Sequence, residues 1–116
     1  MRTILGLLTV LMLLCSTALA ANTQTLELPL PEEAHSLVET TADTMVLTCA
    51  AAGEEITVTV TTQDGQLLYE RMYGACSGTF RSEPVYLRMT GSETTFLVSV
   101  RRGATEYAFT VIRRRA

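Results

Sequence analysis

Cys49 and Cys76 are the two residues of this chain whose types and spacing most directly suggest chemistry. In a protein that leaves the reducing cytosol, an even pair of cysteines is typical of a disulfide. Closing the loop between them would stabilise the fold by about 3.5 kcal/mol. Two unpaired buried thiols are the alternative. A zinc site is not expected, because two cysteines and one distant histidine do not supply four ligands. We therefore predict a disulfide and no bound metal.

His35 is the only histidine, and it lies beside Glu32 and Glu33 in a polar segment, which is typical of a solvated surface residue. Nucleophilic catalysis requires a serine or cysteine that meets a histidine and an orienting carboxylate. No serine of this chain has a nucleophile-elbow sequence around it. Glu54 and Glu55 are adjacent on an expected strand, so their carboxylates point to opposite faces. The sequence therefore predicts neither an enzyme nor a cofactor.

All basic residues of the chain are arginines, and they are concentrated in its second half. Residues 21–70 contain nine acidic residues and no basic one, whereas residues 71–116 contain eight arginines and three glutamates. The opposite charges either meet across the folded sheet or separate into two surfaces. In the second case arginine favours bidentate contacts with phosphate or carboxylate groups. The candidate contacts to an anion or partner are Arg101, Arg102, Arg113, Arg114 and Arg115.

The first 20 residues have the pattern of a cleaved secretory signal peptide. Arg2 supplies the positive charge, residues 4–15 are apolar, and residues 18–20 form a small-x-small cleavage site. An uncleaved anchor is an alternative, although a membrane span needs about 20 apolar residues. Lipidation of Cys15 is another, although the bulky Leu14 precedes it. We expect a secreted, periplasmic or cell-envelope protein without a stable membrane span after cleavage.

Beyond the signal peptide, apolar and polar residues alternate as they do in β-strands. Residues 21–43 are expected to form a linker with an edge strand at 25–30, since Pro29 and Pro31 are tolerated at a sheet edge. Residues 31–34 are expected to form a turn or one short helical turn. Residues 44–116 then form the core domain. Its predicted strands are 44–51, 55–62, 66–73, 83–90, 94–102 and 105–113.

Glycine-containing turns predict how these strands pair. Gly103-Ala104 predicts a type II′ hairpin with glycine at its first central position. This turn gives the following pairs: Phe96 with Val111, Val98 with Phe109, Val100 with Tyr107 and Arg101 with Glu106. Because every core-facing pair is apolar, we expect this register to be strongly specified.

Two further turns are expected. A loop at residues 91–94 would pair Leu87 with Val98 and complete a three-stranded meander over about 83–113. Asp64-Gly65 predicts a type I′ turn that leads into strand 66–73. The register of that strand stays open, because both of its faces carry apolar residues.

The predicted fold is a small antiparallel β-sandwich of six or seven strands, immunoglobulin-like or of a related Greek-key type. The 27-residue cysteine spacing and the absence of tryptophan differ from a true immunoglobulin domain.

The expected function is a non-catalytic binding or structural module of the cell envelope or extracellular space. Its partner would be a protein or an anionic envelope component. Nucleic acid is not expected, because the mature chain is net acidic and its basic half lacks interleaved aromatics. One alternative is a subunit that self-assembles head to tail. Another is a small inhibitor of an extracellular hydrolase, with a protruding loop around residues 73–80.

Overall fold

The structure, a computed structural model, describes residues 23–115. The predicted signal peptide, and with it the anchor and lipidation alternatives, lies outside the described residues. The strands are β1 (Thr23–Glu27), β2 (Leu37–Thr40), β3 (Thr44–Thr62), β4 (Leu67–Arg81), β5 (Val85–Tyr86), β6 (Glu93–Arg102) and β7 (Thr105–Arg114). A single 3-10 turn, Glu32–Ala34, lies between β1 and β2, as predicted for residues 31–34.

The seven strands form one mixed sheet that curls around a single apolar core. Along the sheet the order is β1-β3-β6-β7-β2, and β4 and β5 also pair with β3. The all-β class is therefore confirmed. The sheet is mixed rather than antiparallel, because β1 pairs with β3 and β2 pairs with β7 in parallel. The strands β1 and β2 are neighbours in sequence, but each lies beside a different strand of the sheet.

Strand β3 explains how one sheet can enclose a core. It is 19 residues long, and its first half lies between β1 on one side and β4 and β5 on the other. Its second half lies between β4 and β6. Register shifts on either side of Glu54, next to Gly53 with a φ of 83°, interrupt the pairing between these halves. Such β-bulges bend a strand and increase its twist.

The core consists of the apolar residues that alternate along the central strands. Nine side chains are almost fully buried: Phe96, Met45, Leu47, Ile56, Leu87, Val58, Val60, Val100 and Val111. Residues between them face the other side of the sheet, as the exposed Leu97 does beside Phe96. The period-two pattern therefore identified the core-facing residues correctly.

The last hairpin has the register predicted from its turn. Phe96 lies opposite Val111, Val98 opposite Phe109, Val100 opposite Tyr107 and Arg101 opposite Glu106. Gly103 has a φ of 57°, the positive value that the first central position of a type II′ turn requires. This part of the prediction is confirmed.

The other half of the predicted meander is wrong. Strand β6 pairs with the second half of β3, with Val58 opposite Val100, and not with residues 83–90. That segment contains only the two-residue β5, which pairs with Met45 and Thr44 at the start of β3. The backbone N–H of Leu87 also bonds Asp43 O at 2.9 Å. The segment thus supplies hydrogen-bond partners for backbone N–H and C=O groups along the second edge of β3, which would otherwise lack them.

The long β3–β4 hairpin also differs from its prediction. Residues 44–62 form one continuous strand where two were expected. Gly65 alone has a positive φ in the connecting turn, 95°, so the turn is not type I′. Its N–H bonds Thr62 O at 3.0 Å, and Thr62 N–H bonds Gln66 O at 2.8 Å. This pattern matches a three-residue loop in which a glycine in the left-handed region forms a bulge.

The predicted Cys49–Cys76 disulfide is not seen, and both residues are free thiols. In the β3–β4 register Cys49 lies opposite Phe80, whereas Cys76 lies opposite Glu54. Cys76 is therefore four residues from the position that faces Cys49, about 13 Å along the strand. Cysteines whose Cα atoms are more than about 7 Å apart cannot be bridged unless the backbone moves.

The N-terminal segment adds two strands to the sheet, β1 beside β3 and β2 beside β7. The edge strand predicted at residues 25–30 is present as β1, with its bounds shifted to Thr23–Glu27. Leu26 and Leu28 reach the core from it. Strand β2 was not predicted, since residues 31–43 were interpreted as turn and linker. Its four residues pair with Thr110–Arg113 of β7, so the linker is part of the fold.

Candidate functional site

Three of the five candidate arginines form ion pairs with acidic residues from the first half of the chain. Arg113 is the most buried of them, with 14% of its side chain exposed, and its Nη2 lies 2.6 Å from Asp43 Oδ1. The same guanidinium donates a hydrogen bond to the carbonyl of Leu87. Arg113 therefore joins β7 to the segments on both sides of the start of β3.

Arg114 and Arg102 are paired in the same way at opposite ends of the β6–β7 hairpin. Arg114 Nη1 lies 2.7 Å from Glu39 Oε1, and its Nε lies 2.7 Å from Glu93 Oε2. These two carboxylates raise the pKa of Arg114. Arg102 donates to the backbone carbonyl of Ala50 at 2.7 Å.

Arg102 has two weaker contacts as well. Its Nε lies 3.8 Å from Glu54 Oε1, and its guanidinium lies over the Tyr107 ring, 5.8 Å from the ring centroid. Hydrogen bond, ion pair and ring contact together fix this side chain against the domain itself. The Arg102 guanidinium therefore makes its contacts within the domain and stabilises the fold.

Arg101 and Arg115 are the more open members of the group. Arg101 Nη2 is 4.0 Å from Glu106 Oε1, and both side chains are about half exposed or more. Such exposed pairs contribute about 0.2–1 kcal/mol. Arg115 is exposed at the end of β7. The structure thus separates the five arginines between two ends of a hairpin and pairs most of them internally.

The most unusual surface feature is the outer edge of β4. This 15-residue strand pairs with β3 on one side, and within residues 23–115 no strand pairs with its other side. No loop backbone of the described segment bonds to residues 67–75 either. An open strand edge presents unpaired N–H and C=O groups that another extended chain can bond. Residues 73–80, expected to protrude as a loop, belong to this strand.

Strand β4 carries exposed apolar side chains beside that edge. Leu68 is 40% exposed and Met72 is 65% exposed. The register shift between Val60 and Thr61 leaves Leu68 unpaired and interrupts the alternation, so only Met72 is placed on the same face as Glu70. Glu70 is opposite Thr59, and no ion pair involving it is found in the part of the chain that the structure describes. The open edge therefore carries an acidic and an apolar side chain on this face, with the exposed Leu68 at the bulge.

The core-facing side of β4 is held by a polar network around Glu83. Tyr69 Oη donates to Glu83 Oε1 at 3.1 Å, and Arg71 Nη1 donates to both carboxylate oxygens at 3.0 and 2.9 Å. Tyr73 Oη accepts from the Glu83 N–H at 3.3 Å. Burial, together with Tyr73 and Glu83, raises the pKa of Tyr69, so the phenol stays protonated and able to donate. The network draws Arg71 away from the open side of the strand.

We expect Cys49 to react with iodoacetamide much more slowly than Cys76 in the folded domain. Cys49 is 3% exposed, and burial raises the pKa of its thiol, so less of the reactive thiolate is present at pH 8. Cys76 is only partly buried. Mass spectrometry of samples quenched at successive times measures both rates, and urea-unfolded protein serves as the control. Equal rates would contradict the structure, and no reaction at either thiol would indicate a disulfide.

The features that would support catalysis do not come together. His35 is exposed in the turn before β2, and no hydrogen bond joins its imidazole to another described residue. A cleft of about 710 Å³ beside the β3–β4 turn contains Arg88, Asp64 and Glu93, but no serine, cysteine or histidine lines it. Between residues 23 and 115 there is no group of three or more His, Cys, Asp or Glu residues placed to hold a metal ion.

Sequence reasoning missed the β4 edge. The signal was present in Leu67, Leu68 and Met72, which place apolar residues on both faces of one strand and leave its register open. An apolar face without a partner is one cause of such a pattern.

Among the described residues, no helix has the length and apolar character that crossing a membrane requires. The chain has no significant match among protein-family models, curated proteins or solved structures.

Proposed function

We propose that this protein is an exported, non-catalytic binding module of the cell envelope or extracellular space, and that it binds an extended segment of a partner protein along β4. The observation that carries the proposal is the open edge of β4, flanked by Leu68 and Met72. Addition of a strand to such an edge is a common mode of peptide recognition, in which main-chain hydrogen bonds supply affinity.

The curled sheet supports this role because it pairs β4 with β3 on one side and leaves the other side open. We propose that the domain is a β-sandwich of immunoglobulin-like or related Greek-key type, in which the bulged middle of β3 carries that strand between two layers. Export through the N-terminal signal is part of the same proposal. In an oxidising compartment, formation of a Cys49–Cys76 disulfide would require β4 to slide along β3, so that Cys76 moves from its position opposite Glu54 towards Cys49.

An anionic envelope component is the weaker choice of partner. It would have to displace Asp43 from Arg113, Glu54 from Arg102, or Glu39 and Glu93 from Arg114. The same pairs reduce the number of arginines available for head-to-tail self-assembly. A protein partner that adds a strand to β4 needs none of these contacts to break.

The test is retention of partners by the immobilised mature domain. Leu68→Lys combined with Met72→Lys places charges beside the edge, as natural edge strands do to prevent pairing. Leu97→Lys is the matched control, because Leu97 is 40% exposed like Leu68 but lies on the central strand β6. Proteins from envelope and extracellular fractions are quantified by mass spectrometry for each variant.

We expect the double variant to retain at least tenfold less of the proteins that the wild type and the Leu97→Lys variant retain in common. Loss of one strand of main-chain bonds and two apolar contacts accounts for that decrease. The same proteins retained by all three forms would contradict binding at β4. Hydrolysis of a co-purified substrate by the wild type would contradict a non-catalytic role.

A further inference from the structure

We propose that the segment accepted by β4 is the C-terminal end of a partner polypeptide, and that Arg88 binds its terminal carboxylate. This inference rests on the proposed function and specifies which part of the partner is recognised. It follows from the cleft beside the β3–β4 turn, which lies at the start of the open strand and is lined by Arg88.

Leu68 connects the open edge of β4 with this cleft. The register shift between Val60 and Thr61 leaves Leu68 without a partner on β3, and such bulges redirect side chains. Leu68 is 40% exposed, and it lines the cleft of about 710 Å³ together with Phe96. A ligand in the cleft would therefore cover apolar surface that belongs to the open strand.

Three charged side chains line the cleft, and two of them already have partners. Glu93 Oε2 lies 2.7 Å from Arg114 Nε, and the Asp64 carboxylate accepts a hydrogen bond from the Thr62 hydroxyl. Arg88 is exposed, and no ion pair or hydrogen bond joins it to another residue between 23 and 115. A guanidinium favours bidentate contact with a carboxylate. The cleft therefore offers an anion one unpaired cation beside an apolar side chain.

The position of Arg88 favours one direction for the added strand. The turn precedes β4, which begins at Leu67 and runs away from the cleft. An antiparallel strand on the open edge would run towards the turn and bring its C-terminal end beside the cleft. A parallel strand would bring its N-terminal end there instead. Because an ammonium group is repelled by Arg88 and a carboxylate is attracted, the antiparallel direction is favoured.

The sheet ends at this turn, which favours a chain terminus over an internal segment. Thr62 N–H bonds Gln66 O at 2.8 Å, and Gly65 N–H bonds Thr62 O at 3.0 Å, so these turn groups bond one another. An added strand consequently finds no strand to pair with beyond Leu67. A polypeptide that ends there needs no further main-chain partners, and its carboxylate supplies the anion that Arg88 lacks.

The experiment is a titration of the protein with three synthetic peptides that differ only at their C-terminal end. The first is Ser-Thr-Val-Thr-Val with a free carboxylate, and the second is its C-terminal amide. The third is the amide of Ser-Thr-Val-Thr-Glu, whose only carboxylate is in a side chain. Chemical shift changes in the amide NMR spectrum measure each affinity.

We expect the free carboxylate to bind about tenfold more tightly than its amide, a difference that corresponds to about 1.4 kcal/mol. The glutamate amide should bind no more tightly than the second peptide. The preference for the free carboxylate should decrease as salt is raised, because exposed charge pairs are screened.

Arg88→Gln should remove the preference, so that the free carboxylate and its amide bind equally. Arg81→Gln is the matched control, since Arg81 is exposed, has no ion pair within residues 23–115, and lies at the other end of β4. It changes the net charge equally and should leave the preference as in the wild type. Circular dichroism and thermal melts confirm that each variant is folded.

The inference would be overturned by equal affinity for the free carboxylate and its amide, or by binding of the glutamate amide as tightly as the free carboxylate. A preference that persists in Arg88→Gln, or that Arg81→Gln removes, would also overturn it, as would no binding of any peptide. Spectral changes when the protein alone is diluted would show that a second copy occupies the edge, which contradicts the inference as well.

These outcomes are separable from failure of the proposed function. If the free carboxylate has no advantage but Leu68→Lys with Met72→Lys still abolishes partner retention, the edge binds an internal segment of its partner. Retention that persists in that double variant would contradict the proposed function itself.

Discussion

Replacing Phe96 with alanine is expected to lower the free energy of unfolding by about 3–5 kcal/mol. Phe96 is fully buried, and it lies opposite Val111 of β7 on one side and opposite Thr62 of β3 on the other. The substitution removes a large apolar side chain at the junction of these strands and leaves a cavity. Domains of this size have a total stability of about 5–10 kcal/mol, so much of the protein would unfold near 37 °C.

Leu97→Ala is the matched control for that prediction. Leu97 is the next residue on the same strand, but its side chain is 40% exposed on the other face. We expect a loss below about 1 kcal/mol, measured for both variants by urea denaturation followed by circular dichroism. A larger loss for Leu97→Ala than for Phe96→Ala would mean that β6 presents its other face to the core, and that its register is wrong.

Arg113→Ala is expected to lower the free energy of unfolding by about 2 kcal/mol. The substitution removes a charged hydrogen bond to the carbonyl of the fully buried Leu87 and the ion pair with Asp43. Hydrogen bonds to charged groups contribute about 1.5–3 kcal/mol. The expectation lies in the lower part of that range because the Asp43 side chain is 44% exposed. Urea denaturation measures the change.

Two further variants isolate the cause. Arg113→Lys keeps the charge, but one ammonium group does not reproduce the planar fork that reaches both Asp43 and Leu87, so about half of the loss should remain. Arg115→Ala removes an exposed arginine two positions along the chain and should change stability by less than about 0.5 kcal/mol. Equal effects at 113 and 115 would show that net charge, and not this contact, determines stability.

The strand prediction was correct where a turn fixed the register and wrong where only alternation was available. Gly103 fixed the β6–β7 pairing because a two-residue turn leaves one register. Alternation at Val85 and Leu87 showed correctly that both side chains are buried, but a buried face does not specify which strand lies alongside. In the structure residues 85–86 pair with the start of β3, and Val58 and Val60 of β3 lie opposite Val100 and Val98 of β6.

The predictions for the cysteines and the arginines also depended on which strands lie side by side, which the sequence did not specify. The two cysteines beyond the predicted signal peptide favoured a disulfide, but their distance depends on the β3–β4 register, which the sequence left open. Charge separation along the chain left two interpretations of the arginines. The fold selects internal pairing for Arg113 and Arg114 because β7 lies beside β2 and close to the start of β3, and for Arg102 because the end of β6 lies beside the middle of β3.

Amide hydrogen exchange of the free protein tests the central claim, that one side of β4 is open. Alternate amides between Leu67 and Tyr73 point away from β3, and we expect them to exchange at nearly unprotected rates. The intervening amides, bonded to β3, should exchange far more slowly. Uniform protection along residues 67–73 would show that another segment or a second molecule already covers this edge, and would contradict the account.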